Sequence, residues 1–186
     1  MKMKRAALMA GLAAAALVLT APAQTDKVEK QQFKARVLKT GFANNVTVKI
    51  EVSAFSSPEE IAALNAALKE GGERAFRKAF VKTVKGRLMF YGIEQPSIKF
   101  HAAFETATEK GRTLTFFAEN RAVLSGPGET VLGLLFLVVA LDIDAAGNGE
   151  GRLTENAYIK FTPDGRLELD SYRTSPAQLI QVRAAK

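Results

Sequence analysis

The chain has 186 residues, of which 47% are hydrophobic and 24% are charged, with no cysteine, no tryptophan and one histidine. This composition is typical of one globular domain and excludes a disulfide scaffold, a cysteine-ligated zinc site and a disordered chain. The net charge is +7, and removing the three basic residues of the N-terminal segment leaves +4, too little to indicate a nucleic-acid partner.

The first 23 residues have the layout of a cleaved secretory signal peptide. Lys2, Lys4 and Arg5 precede an apolar run over 6–19, and Ala21-Pro22-Ala23 forms a small-x-small cleavage site. The run is shorter than the ~20 residues that a spanning helix needs. The sequence therefore predicts export to the periplasm or the extracellular space, with no transmembrane segment in the mature chain.

A flexible polar leader over 24–32 is expected to precede a single domain over 33–183. Apolar and charged residues alternate over 33–37 and, most clearly, over 46–54, and this alternation predicts two half-buried strands.

Two helices are predicted next. Ser57-Pro58-Glu59-Glu60 matches a capping box, in which the serine oxygen and the glutamate carboxylate each accept a bond from a free backbone amide. Gly71-Gly72 is predicted to end the first helix, and a second helix is predicted over 73–85. The short connection indicates a helical hairpin or a sharp kink.

The remainder is predicted to be strand. The segments are 88–91, 98–104, 114–118, 131–141, 153–161, 167–172 and 179–182, and the 131–141 run is apolar enough to be buried on both faces. Strands joined by short turns pair in antiparallel order. We therefore predict an α+β fold: a mostly antiparallel, curved or sandwich-like sheet with a helical hairpin on one face.

The mature chain resembles a group of uncharacterised exported bacterial proteins. The resemblance is carried by the signal peptide, the strand leading into Ser57-Pro58-Glu59-Glu60, the turn before Gly151-Arg152-Leu153, the Pro163-Asp164-Gly165 hairpin and the tail from Tyr172 to Arg183. It implies no activity. The element order also resembles that of helix-grip proteins, which hold apolar ligands between a sheet and a helix, although this chain is predicted to end in a strand.

Four phenylalanines are the candidate ligand-binding residues. Phe100, Phe104, Phe116 and Phe136 occupy predicted inward positions of their strands. They either fill a core or, if the sheet curves enough, line an apolar cavity. The leading hypothesis is a non-enzymatic binding module for an apolar small molecule held against the sheet.

The second predicted helix carries a basic face, formed by Arg74, Arg77, Lys78 and Lys85 with Lys82 at its edge. The alternative hypothesis is a structural or interaction protein that uses this face to contact an anionic component of the cell envelope. A basic face that is merely solvated explains the pattern equally.

No catalytic constellation is recognised. His101 is expected to be an exposed sheet histidine, and one histidine supports no two-histidine metal site. The carboxylate pairs Asp142/Asp144 and Glu168/Asp170 are typical of solvated strand edges, which makes a carboxylate-dependent hydrolase the least favoured hypothesis. No metal or cofactor is assigned.

Overall fold

The structure, a computed structural model, describes residues 30–39, 46–120, 135–163, 165–173 and 175–185. The predicted signal peptide and leader residues 24–29 lie outside this part of the chain. The described elements, in chain order, are β1 (Gln31–Leu38), β2 (Thr47–Val52), α1 (Pro58–Phe80), β3 (Gly86–Tyr91), β4 (Ile98–Thr108), β5 (Gly111–Glu119), β6 (Phe136–Asp144), β7 (Asn148–Phe161), β8 (Leu167–Tyr172) and β9 (Ala177–Ala185).

Eight of the strands close into an antiparallel barrel. The order of neighbours is β6-β5-β4-β3-β2-β1-β9-β7, and β6 also pairs with β7, which joins the two ends. β8 pairs with the C-terminal part of β7, so these two segments form a hairpin that projects from the barrel. Closure removes the free edges that an open sheet would expose.

The interior of the barrel is a packed hydrophobic core. Alternate residues of each strand point inward, and the core includes Phe33, Ile50, Leu88 and Leu153, each at most 1% exposed. Of the strand predicted over 131–141, residues 131–134 lie outside the described part of the chain. Over 136–139 the strand is buried on both faces, as predicted, because its outer face is covered as well.

The helix α1 covers part of the outer surface. Its predicted capping box is present, with the Ser57 side chain accepting from the Glu60 amide and the Glu60 side chain accepting from the Ser57 amide. The buried helix residues Ile61, Leu64, Phe76 and Phe80 pack against the outer faces of β4, β5 and β6 and against the β7–β8 hairpin.

The predicted fold class was wrong in two respects. The sheet is neither open nor a sandwich but a closed barrel, because the last described strand, β9, pairs with both β1 and β7. The helical hairpin is a single helical element: Gly72 alone departs from helical geometry, with φ of 66° and ψ of −163°. Both halves bury apolar residues against the same outer surface of the barrel. They do not form an antiparallel helix pair.

Candidate functional site: a groove on the outside of the barrel

A groove of about 1020 Å³ lies on the outer surface of the barrel. The first half of α1 forms one wall and β8 forms the other, while the outer faces of β4, β5, β6 and β7 form the floor. We call it the outer groove. Its volume is close to that of sites that hold small molecules in other proteins.

The floor of the outer groove is apolar. Phe104 and Phe117 lie edge to face with ring centroids 5.7 Å apart, and Val138 and Ala140 continue the floor along β6. Ile61 and Leu167 contribute from the two walls. An apolar molecule bound in this groove would be shielded from water by apolar side chains on three sides.

The β8 wall presents apolar side chains to solvent. Leu169 is 37% exposed and Tyr172 is 50% exposed, and both line the groove. Partly exposed apolar side chains around a concavity are typical of binding surfaces.

Charged side chains also line the groove. Arg152 is exposed and has no ion-pair partner among the residues that the structure describes. Glu105 lines the groove too, but its Oε1 accepts from Arg112 Nη1 at 3.1 Å. Arg166 and Glu168 lie on the hairpin side. Arg152 is therefore the side chain best placed to bind an anionic group of a ligand.

Two β-bulges position the groove. His101 is an extra residue in β4, since Phe100 pairs with Ala118 and Ala102 pairs with Phe117. The bulge reverses which side chains face outward, so Phe104 reaches the groove instead of the core. In β7, Asn156 has φ of 53° within a second irregularity opposite β6, beyond which the strand leaves the barrel to form the hairpin wall.

The four predicted ligand-binding phenylalanines are dispersed. Phe100 and Phe116 stack inside the barrel core, with centroids 4.9 Å apart and no exposed surface. Phe136 lies under α1, edge to face with Phe76 at 6.0 Å and Phe80 at 5.5 Å. Phe104 alone of the four lines the outer groove. Sequence reasoning missed Phe117 and Arg152, because it did not detect the bulge in β4. It predicted the β7–β8 hairpin but not the position of that hairpin beside the groove.

The prediction that His101 is exposed was wrong. The residue is 9% exposed, its ring lies 5.3 Å from that of Phe80, and its Nδ1 is 2.6 Å from the backbone oxygen of Thr83. Because a carbonyl oxygen only accepts, Nδ1 carries the proton in this contact. His101 thus connects β4 to the segment after α1 and lies away from the groove.

The predicted basic residues lie on the second half of α1 and in the turn after it. Arg74, Arg77, Lys78 and Lys82 are all exposed, and Arg77 Nε donates to Glu119 Oε1 at 2.8 Å. They do not line the outer groove. They form a separate surface. Lys85, predicted on the same basic face, is instead buried beside Glu60.

The carboxylates of the β6–β7 turn have local partners. Asp144 Oδ1 accepts from the amides of Ala146 and Asn148, at 2.9 and 2.8 Å, and Asp142 Oδ1 accepts from Thr113 at 2.6 Å. In the described ranges no group of three metal-ligating side chains comes together. The described residues also include no helix with the length and apolarity required to cross a membrane.

An ion pair fixes the end of the groove where α1 begins. Burial raises the pKa of the Glu60 carboxyl, but the hydrogen bonds from Lys85 Nζ, at 2.7 and 2.6 Å, and from the Ser57 amide outweigh it, so the pKa lies below its ordinary value. Lys85 is itself 8% exposed. The pair therefore ties the first turn of α1 to the strand that follows the helix.

The fold and the groove define a class: a closed antiparallel barrel with one external helix and a ligand-sized groove between that helix and a projecting hairpin. The chain matches no protein family, no curated protein and no solved structure.

Proposed function

We propose that the protein is a non-enzymatic binding module, exported from the cell, that holds an apolar small molecule with one anionic group in the outer groove. The observation that supports the proposal most directly is the groove floor, where Phe104, Phe117, Val138 and Ala140 form an apolar surface beside an arginine with no described ion-pair partner.

The chemistry of the groove favours an elongated amphipathic ligand. Its tail would lie along the floor between α1 and β8, and each buried methylene would contribute about 0.8 kcal/mol. The anionic group would pair with Arg152, whose guanidinium offers two parallel donors to a carboxylate. A hydrolase is not supported: Glu105 and Glu168 are exposed, and Glu105 is already held by Arg112, so the two carboxylates do not form a shielded catalytic pair.

The first experiment measures binding of hexadecanoate and hexadecanol by titration calorimetry. Leu169→Asp places a charge on the apolar wall and should weaken binding of both ligands by about tenfold or more. The matched control is Leu38→Asp, at another exposed leucine outside the groove, which should leave binding unchanged. Absence of binding, or an equal effect of both variants, would overturn the proposal.

A second experiment tests the head group. Arg152→Gln should weaken binding of hexadecanoate and leave hexadecanol unaffected, since only the carboxylate pairs with the guanidinium. Arg74→Gln, which removes the same charge far from the groove lining, is the control. Equal weakening of the acid and the alcohol would show that Arg152 does not recognise the anionic group.

A second candidate function is supported by exposed valines beside the basic residues of α1. Val81 is 38% exposed and Val84 is 51% exposed, next to Lys78 and Lys82. Apolar side chains flanked by lysines are suited to an anionic membrane surface. On this candidate, Lys78→Glu/Lys82→Glu should abolish cosedimentation with phosphatidylglycerol vesicles, whereas Lys69→Glu/Lys110→Glu should not. Unchanged binding of the first variant would discard it.

A further inference from the structure

The barrel carries a second concavity, of about 370 Å³, on the outer faces of β1, β2 and β9. It is lined by Lys34 and Arg36 from β1 and by Arg183 from β9, together with Thr47, Gln181 and small residues. Among the residues that the structure describes, no carboxylate lines it. It shares no lining residue with the outer groove.

Strand register places like charges directly opposite one another at this concavity. Lys34 pairs with Lys49 on one side and with Arg183 on the other, so three cations form a row across β2, β1 and β9. Lys49 is neutralised by Glu51 at 2.9 Å. Lys34 and Arg183 have no ion-pair partner within the described ranges. Opposed like charges destabilise a sheet, and a bound anion would remove that repulsion.

A bulge in β9 shapes the concavity. Lys34 of β1 pairs with Arg183 of β9, and Arg36 pairs with Ile180. One residue lies between the two positions on β1 and two lie between them on β9, so β9 contains an extra residue. Gln181 lies in the bulge with φ of 55°, in the left-handed region that residues other than glycine rarely adopt. A bulge leaves its extra residue out of the regular ladder and bends the strand, which here makes a concave surface between the cationic side chains.

We infer that this concavity is a binding site for a phosphate group, held by Lys34 and Arg183. The Arg183 guanidinium supplies paired donors that match the oxygens of a phosphate, and the Lys34 ammonium supplies a second positive charge. The same chemistry fits free inorganic phosphate and a phosphate at the surface of a lipid bilayer. The inference is independent of the function proposed for the outer groove.

The test is a titration of the whole protein with inorganic phosphate at constant ionic strength, in which amide chemical shifts in NMR spectra report binding. The inference expects saturable shifts at Lys34, Gln181 and Arg183. Lys34→Gln/Arg183→Gln should raise the dissociation constant by about tenfold or more, since it removes two charge-assisted contacts. Lys69→Gln/Lys110→Gln, with the same loss of charge elsewhere, should bind as the wild type does.

Vesicles separate the two sources of phosphate. If the site serves a lipid, phosphatidylcholine vesicles that contain phosphatidic acid should bind the wild type and the Lys78→Glu/Lys82→Glu variant, but not Lys34→Gln/Arg183→Gln. Saturable binding of inorganic phosphate without vesicle binding would assign the site to soluble phosphate. Absence of saturable shifts together with absence of vesicle binding, or binding unchanged in Lys34→Gln/Arg183→Gln, would overturn the inference.

Discussion

At the residue scale, the charged side chains that the described part of the chain buries are each paired with an opposite charge. Lys85 contacts Glu60 at 2.6 Å, and Glu155, which is 2% exposed, contacts Lys39 at 3.0 Å. Removing one partner of such a pair leaves a charge without compensation in a poorly solvated position. Substitutions at these two pairs are therefore expected to lower stability.

Glu60→Gln should make the free energy of unfolding less sensitive to a fall in pH below neutral. Because the folded pKa of Glu60 lies below its ordinary value of 4.5, the ionised carboxylate stabilises the folded state above pH 4.5. That contribution is lost as the pH falls through the folded pKa. The difference in free energy of unfolding between wild type and variant should thus be largest near neutral pH and shrink below about pH 4.5.

Urea unfolding across a pH series measures this difference. In a Lys85→Met background the pH-dependent part of the difference should be smaller, because Lys85 supplies the hydrogen bonds that lower the pKa. A difference between wild type and Glu60→Gln that stays constant from neutral to acid pH would contradict the prediction.

At the element scale, α1 depends on one glycine. Gly72 combines φ of 66° with ψ of −163°, a backbone region that only glycine occupies readily, and the helix continues on both sides. The irregularity lets Ile61 and Leu64 before it, and Phe76 and Phe80 after it, pack against the same outer surface of the barrel. The sequence pattern Gly71-Gly72 indicated an interruption without deciding whether the chain would turn back.

Gly72→Ala should destabilise the protein by about 1–3 kcal/mol, although an added Cβ would meet no atom within 4 Å. The cost comes from the backbone conformation and not from a clash. Guanidinium unfolding measures it. Ala63→Gly, at an exposed helical position, is the control, with an expected loss of about 1 kcal/mol from helix propensity alone. Stabilisation by Gly72→Ala would mean that residue 72 is helical.

At the scale of the whole molecule, the barrel separates two groups of apolar side chains that the sequence does not distinguish. Phe100 and Phe116 lie in the inner core, whereas Phe104 and Phe117 face the helix and the outer groove. A side chain in the packed core contributes to stability, whereas a side chain in the external groove can also contact a ligand. The inner residues maintain the fold, and of the two outer ones Phe104, which is only partly buried, is available to a ligand.

Phe116→Ala should lower the free energy of unfolding by about 3–5 kcal/mol, since it empties a fully buried position and removes the stacking partner of Phe100. Phe104→Ala should cost less, because Phe104 is only partly buried, and should weaken binding of hexadecanoate. Chemical denaturation of both variants measures the loss of stability, and titration calorimetry measures the loss of binding. Equal destabilisation by the two substitutions would contradict the separation of core from groove.

Much of the local structure was predictable from the sequence. The capping box at Ser57 and Glu60, the strand at Thr47–Val52 and the strand at Leu167–Tyr172 each depend on neighbouring residues, whose hydrogen bonding and alternation act over a few positions. The candidate site was not predictable in the same way. Because of the bulge at His101, Phe104 lies on the opposite face of the sheet from the one predicted. No pattern among neighbouring residues predicts a one-residue insertion in a strand.

The sequence by itself determined which segments are strand, where the helix begins and that pairing is antiparallel, because these follow from local backbone preferences and short connections. Tertiary structure alone decided that β9 pairs with both β1 and β7, so that the sheet closes. It also decided that the β7–β8 hairpin stands opposite α1 to form the outer groove. The physical reason is that these contacts join residues far apart in the chain, and their free energy depends on how whole faces pack together.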